Sequence, residues 1–157
     1  MTEWLRWTAP AAVVLSMAAP ACATQYMSVG EAQKSAFPSA TNFAEVQAGR
    51  VWKAQAGDRV MGYFYYDHVV GKHLLIDYAV AVDADGRVRK VEILNYRESY
   101  GGEVHDASWL QQFVGKSSQS AMQMNSDIRN ISGATLSSTH ITEGVKKVLA
   151  YHASHFR

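Results

Sequence analysis

RVMGYFYYDHVVGKHLLIDYAVAVDADGRVRKVEILN, residues 59–95, carries the clearest secondary-structure signal in this chain. It contains three runs rich in the aromatic and β-branched residues that favour strands, residues 59–70, 74–82 and 88–95. Gly71-Lys72 separates the first two runs. Asp83-Ala84-Asp85-Gly86 separates the second two, and Gly86 can take the positive φ of a tight hairpin loop. Three consecutive strands joined by tight turns predict an antiparallel meander.

The segment before the meander shows helical patterns. Residues 29–37 predict a short helix that Pro38 ends, because proline fits poorly inside a helix. Residues 42–46 predict a second helical turn. Residues 24–49 are therefore expected to form an N-terminal helical segment or a tether, and the sequence does not decide whether they join the core.

A helix is predicted directly after the meander. Asp106 is placed to cap it and Gly115 to end it. Large apolar residues share one face of this helix, namely Trp109, Leu110 and Phe113.

The rest of the chain is predicted to be a loop followed by a C-terminal helix. Residues 116–130 are polar and weakly patterned, which predicts a loop. Ser138 or Thr139 is expected to cap the last helix, in which apolar residues recur at helical spacing up to Phe156. Together the patterns predict a single α+β domain with an antiparallel, half-barrel-like sheet flanked by helices.

The first 23 residues have the order of parts of a secretory signal peptide. A charged start precedes an apolar run, residues 7–20, and the small-x-small sequence Ala21-Cys22-Ala23 follows. We expect cleavage after residue 23 and a periplasmic or otherwise extracytoplasmic protein, with residues 50–157 as the functional domain. A transmembrane helix is the alternative, but the run is shorter than the roughly 20 apolar residues of a span.

Cys22 is the only cysteine of the chain. Cleavage after residue 23 would remove it, which excludes disulfides, thiolate catalysis and iron–sulfur ligation in the mature protein. The alternative is a lipoprotein acylated on Cys22, although Ala19-Pro20-Ala21 lacks the branched apolar residue expected three places before such a cysteine.

Length and charge limit the partners. A chain of 157 residues is long enough for one domain with a real core. The formal net charge of +1, with scattered basic residues, gives no electrostatic footprint for nucleic acid.

The six histidines give no convincing metal-ligand spacing except His152 and His155, which we expect to be solvated near the terminus.

Residues 131–139, ISGATLSST, are the most informative segment for chemistry. Small residues precede Thr135 just before a helix, so the backbone can approach a bulky ligand and free N–H groups can face a phosphate. The Thr135 hydroxyl could itself become a phosphate's ester oxygen. From composition alone, a flexible loop with a helix cap explains the segment as well.

Ser132-Gly133-Ala134-Thr135, followed by Leu136-Ser137-Ser138, resembles the flavinylation motif of the FMN-binding domain family. That family includes flavin-carrying subunits of sodium-pumping NADH:quinone reductase and of the Rnf complex. The resemblance implies that Thr135 is esterified to the phosphate of FMN by a separate, FAD-consuming, magnesium-dependent flavin transferase.

A second segment is similar to the same family. Residues 96–104 and 109–116 match the region where the family has a glutamate and a glycine-rich turn before an aromatic helix. Glu98-Ser99-Tyr100-Gly101-Gly102 departs from the Glu-Thr-Pro-Gly-Leu-Gly of the complex subunits, which indicates a freestanding branch. The family's aspartate six places before the modified threonine is Arg129 here, with Asp127 as the nearest acid. Whether the transferase accepts Arg129 is left open.

The resemblance implies a set of cofactor contacts around Thr135. Gly101 and Gly102 would let the backbone pass the flavin, and Glu98 would bind ribityl hydroxyls or fix the turn. Trp109 would form an aromatic wall or belong to the core. The full set of candidate contacts is Ser132, Gly133, Ala134, Thr135, Leu136, Ser137, Ser138, Glu98, Tyr100, Gly101, Gly102 and Trp109.

A covalently held FMN would make the chain an electron carrier between membrane or exported redox partners, because the cofactor supplies the chemistry. Two alternatives remain open at this point. One is a periplasmic FMN-dependent reductase of a small acceptor. The other is a non-redox binding module in which the 131–139 loop only caps a helix.

Overall fold

The computed structural model describes residues 23–156 and contains one six-stranded antiparallel sheet. The strands are β1 (Thr24–Gln25), β2 (Asn42–Gln47), β3 (Val51–Ala56), β4 (Arg59–Val70), β5 (Leu75–Asp83) and β6 (Val88–Tyr96). Their order across the sheet is β1-β6-β5-β4-β3-β2. The helices are α1 (Val29–Ala36), α2 (Ala107–Leu110) and α3 (Thr135–His155), with 3-10 turns at Gly102–His105 and Gln111–Phe113.

The predicted meander is confirmed in β4, β5 and β6, which pair in sequence order. The β5–β6 loop closes around Asp83, whose carboxylate accepts hydrogen bonds from the N–H groups of Asp85 (2.9 Å) and Arg87 (3.0 Å). Gly86 has φ of 78°, the left-handed conformation that a tight loop requires. The predicted α+β fold, a curled half-barrel sheet with helices, is confirmed.

The N-terminal segment contributes to this sheet. The helical turn predicted for residues 42–46 is wrong, because this stretch is the edge strand β2, paired antiparallel with β3. Strand β1 pairs with β6 at the opposite edge. Most of the predicted signal peptide, residues 1–22, lies outside the described residues. No helix among residues 23–156 is long and apolar enough to span a membrane.

A helix covers each face of the sheet. The central strand β5 is therefore buried over most of its length. Alternate side chains of β5 point to opposite faces. Ile76, Tyr78 and Val80 pack with the apolar residues of α3, whereas Ala79 and Ala81 pack beneath α1. The small alanines allow α1 to lie close to the sheet.

The helices after the sheet begin and end differently from the prediction. Asp106 precedes α2, but its side chain makes no capping hydrogen bond to any described residue. The α-helix ends after Leu110 and continues as a 3-10 turn before Gly115, whose φ is 82°. The cap predicted at Ser138 or Thr139 is wrong, because α3 already begins at Thr135.

Candidate functional site

A cleft of about 500 Å³ opens at the N-terminus of α3. Three segments line it: residues 72–73 of the β4–β5 turn, residues 98–100 after β6, and residues 133–137. The fold thus brings the two segments singled out in the sequence onto opposite walls of one cleft.

Tyr96, the last residue of β6, joins those two walls. Its side chain is only 3% exposed, and its hydroxyl donates a hydrogen bond to the carbonyl of Tyr100. The same hydroxyl lies 3.2 Å from Ser137 Oγ in the first turn of α3. Burial raises the pKa of Tyr96, which keeps the phenol protonated.

Gly101 allows the close approach of the walls. Its φ of 87° is the left-handed conformation that residues with a Cβ rarely adopt. A Cβ built there would lie 2.7 Å from Ala134 Cβ and 2.8 Å from the Tyr96 hydroxyl. Glycine is therefore required at this position by both conformation and space.

Glu98 fixes the β4–β5 turn, one of the two roles considered for it. Its carboxylate accepts hydrogen bonds from the backbone N–H groups of His73 and of Leu74 (2.7 Å). Burial alone would raise the pKa of Glu98, but these backbone donors outweigh it and hold the pKa below its usual value. Glu98 therefore stays ionised and holds residues 72–73 against the cleft.

The N-terminus of α3 is open toward the cleft. Ala134 occupies the N-cap position, and no side chain among residues 23–156 caps the helix. The first helical hydrogen bond runs from Ser138 N–H to the Ala134 carbonyl (3.0 Å). The N–H groups of the first turn are consequently available to an acceptor in the cleft. Thr135 and Leu136 are both exposed there.

A model of the FMN-binding domain family matches residues 71–150. The chain belongs to the FMN-binding domain family. The matched stretch contains all three segments that line the cleft. None of the curated proteins matches the chain.

Several predicted contact residues of this FMN-binding domain lie away from the cleft. Trp109 is 5% exposed and belongs to the core, where its Nε1 donates to the carbonyl of Arg129 (2.7 Å). Gly102 begins a 3-10 turn, Ser132 is exposed in the preceding loop, and Ser138 is buried beneath the first turn of α3. These four residues, and Gly101 as well, are not part of the cleft lining.

Five residues at or near the cleft were not among the predicted contacts, namely Lys72, His73, Tyr96, Ser99 and Asn130. Lys72 and His73 line it from the β4–β5 turn, which looked like an ordinary loop. Tyr96 begins the second family-like segment, but the sequence assigned it no role of its own. Asn130 lies outside the threonine motif, yet its Nδ2 donates a hydrogen bond to Thr135 Oγ (3.1 Å). Asn130 is one of several polar residues in its loop, so the sequence gave no signal of this contact.

The histidines occupy environments that the sequence did not indicate. His152 was expected to be solvated, but it is 4% exposed and its Nδ1 lies 2.7 Å from the Tyr65 hydroxyl. His140 is half-buried, with its Nδ1 2.6 Å from the Val70 carbonyl. Residues 23–156 contain no group of three or more metal-ligating side chains of the His, Cys, Asp and Glu types.

Proposed function

We propose that this protein is an exported flavoprotein that carries FMN as a phosphoester on Thr135 and relays electrons between partner proteins. The observation that carries the proposal is the position of Thr135. It is exposed, it is the first residue of α3, and it lines the cleft of an FMN-binding domain. A hydroxyl in this place can be reached by a second enzyme.

The open end of α3 suits the phosphate of FMN. The N–H groups of the first turn carry the positive end of the helix dipole, which attracts a phosphate. No acidic residue stands in the first turn of α3 to repel an anion. Gly133, with φ of 81° and no atom within 4 Å of a built Cβ, leaves the backbone accessible.

The remainder of the cleft suits a flat, partly apolar ring system. Its volume of about 500 Å³ lies within the usual range of small-molecule sites. Leu136 (47% exposed) and Tyr100 (86% exposed) offer apolar surface on opposite walls. Lys72 adds a positive charge at the rim. Here FMN would supply one- and two-electron chemistry, and the protein would hold it.

Covalent attachment is consistent with export. A flavin that dissociates outside the cytoplasm cannot be replenished there, so a phosphoester on Thr135 would keep the protein loaded. The signal-peptide pattern of residues 1–23 supports the same location. N-terminal sequencing of the exported protein tests this: we expect a first residue of Thr24. A lipid-modified Cys22 would instead indicate a lipoprotein.

The first experiment is co-expression with an FAD-dependent flavin transferase, followed by intact mass and peptide mapping. We expect yellow colour that survives denaturation and a mass increase of FMN less one water on the peptide that contains Thr135. An unmodified, colourless chain would contradict the proposal and favour a non-redox module. Turnover of a small acceptor without any partner protein would favour a reductase.

Thr135→Ala is the decisive variant. We expect it to abolish the covalent adduct and to change the free energy of unfolding by less than about 0.5 kcal/mol, because its one side-chain hydrogen bond, from Asn130, is exposed and water can replace it. Thr139→Ala, one helical turn further along the same helix, is the matched control and should keep the adduct. An adduct that persists in Thr135→Ala would place the attachment on another residue.

A further inference from the structure

Asn130 connects the Thr135 hydroxyl to the interior of the domain. Its side-chain amide donates from Nδ2 to Thr135 Oγ (3.1 Å), and its Oδ1 accepts from Ser138 Oγ (2.8 Å). Ser138 is fully buried, and its hydroxyl also lies 2.9 Å from the Ala134 carbonyl. An exposed hydroxyl is thus tied through one amide to a buried anchor.

The neighbouring residue Arg129 has a different role. Its backbone N–H and its Nε both reach Gln112 Oε1, at 2.8 and 3.4 Å. Its carbonyl accepts from the indole of Trp109. Arg129 therefore fastens the loop to the α2 region, whereas Asn130 is the side chain that contacts Thr135.

We propose that Asn130 is the positioning residue that prepares the Thr135 hydroxyl for phosphoester formation. The proposal rests on the proposed function. In the reaction, the bond from Thr135 Oγ to the FMN phosphorus of FAD forms and the phosphoanhydride bond breaks. AMP leaves with the bridging oxygen, and the hydroxyl proton is released to a base of the transferase or to water.

The geometry explains how an amide would help. A threonine hydroxyl on an exposed helix end rotates among several orientations. The hydrogen bond from Asn130 occupies one lone pair of Oγ, so the hydroxyl proton must point elsewhere and the other lone pair stays free for attack. Ser138 holds the amide in place. Its single hydroxyl proton faces three acceptors, the carbonyls of Ala134 (2.9 Å) and Thr135 (3.1 Å) and Asn130 Oδ1 (2.8 Å), and the contact with Oδ1 is the shortest.

The test is the rate of flavin transfer, measured by intact mass with purified transferase, FAD and magnesium at several protein concentrations. We expect Asn130→Ala to lower kcat for transfer about tenfold, the effect of losing one hydrogen bond to a reacting oxygen, with KM for the protein unchanged. Asn130→Asp should not restore the rate, because an ionised carboxylate has no proton to donate to Thr135 Oγ. Asn42→Ala, which changes an exposed asparagine of β2 outside the cleft lining, is the matched control and should react at the wild-type rate.

Ser138→Ala gives a second, milder variant, for which we expect a decrease of about two- to fivefold in kcat. Thermal unfolding of each variant checks that the domain folds. Wild-type kcat in Asn130→Ala, or an effect on KM alone, would overturn the inference and leave the proposed function standing. A wild-type protein that takes no flavin would instead overturn the proposed function, and this inference with it.

Discussion

The two long helices of this protein begin in opposite ways. At the start of α1, the Ser28 side chain accepts a hydrogen bond from Glu31 N–H (3.3 Å), and the Glu31 carboxylate accepts one from Ser28 N–H (2.7 Å). This reciprocal capping box gives hydrogen-bond acceptors to two backbone N–H groups at the start of the helix. At the start of α3, Ala134 offers no such side chain, and the first turn faces a cleft.

The difference is the one expected between a structural helix end and the phosphate site that we propose for α3. An N-cap contributes about 1 kcal/mol, so leaving α3 without one has a cost in stability. Stability is commonly given up at binding sites. The open end is also the end that carries Thr135 and lies within the match to the FMN-binding domain family, whereas α1 lies outside that match. The uncapped first turn of α3 is therefore what the proposed phosphate site requires.

The largest expected effect comes from closing the space beside the open end. Gly101→Ala would force a Cβ against Ala134 and the Tyr96 hydroxyl, and would strain a left-handed residue. We expect a loss of about 2–5 kcal/mol in the free energy of unfolding, from strain and overpacking together. Flavin loading, measured by intact mass, should fall with it, because Ala134 and the cleft wall must shift.

Gly115→Ala is the matched control for Gly101. Its φ of 82° is similar, but no atom lies within 4 Å of a built Cβ. We expect only the conformational cost of about 1–2 kcal/mol and normal flavin loading. Equal losses in both variants, by urea denaturation, would show that the contact with Ala134 is unimportant.

An intermediate effect is expected at the closed end. Ser28→Ala removes the acceptor that caps α1 and should lower the free energy of unfolding by about 1 kcal/mol, measured by urea denaturation. Flavin loading should not change, because Ser28 is not part of the cleft lining. Thr135→Ala should instead abolish flavin loading and leave the free energy of unfolding nearly unchanged. A Ser28→Ala variant that loses flavin would remove the distinction between the two helix ends.

The sequence predicted the centre of the sheet well and its edge poorly. Residues 59–70 form β4 as predicted, because a long run rich in aromatic and β-branched residues strongly favours a strand. Strand β2 was assigned to a helix. It is an edge strand with mostly exposed residues, so it lacks the alternation that identifies a half-buried strand.

The site was predicted where chemistry lies in consecutive residues and missed where it depends on pairing between distant ones. Thr135 and its small neighbours stand together in the chain, and the structure places them at the cleft. The contact between the Tyr96 hydroxyl and Ser137 Oγ crosses from β6 to α3, which no local pattern indicates. The cap of α3 was misplaced because hydroxyl residues fill its first turn, where Ser138 bonds to Ala134 instead.

The smallest effect, and the most selective one, is the response of the two helix ends to acid. Hydrogen bonds from Ser28 to the Glu31 carboxylate hold the pKa of Glu31 below its usual value of 4.5. A carboxyl whose pKa is lowered by folding stabilises the fold above its unfolded pKa, and this contribution is lost as the pH falls through the folded value. We therefore expect the amide resonances of Ser28 and Glu31 to titrate together with a midpoint below 4.5 in an NMR pH series.

The first turn of α3 contains no acidic residue, so its amides should show no such step. Glu31→Gln should abolish the step at α1. A matching step at Thr135 and Leu136 would mean that an acid from elsewhere in the chain reaches the end of α3, and that end would then be less open than its geometry indicates.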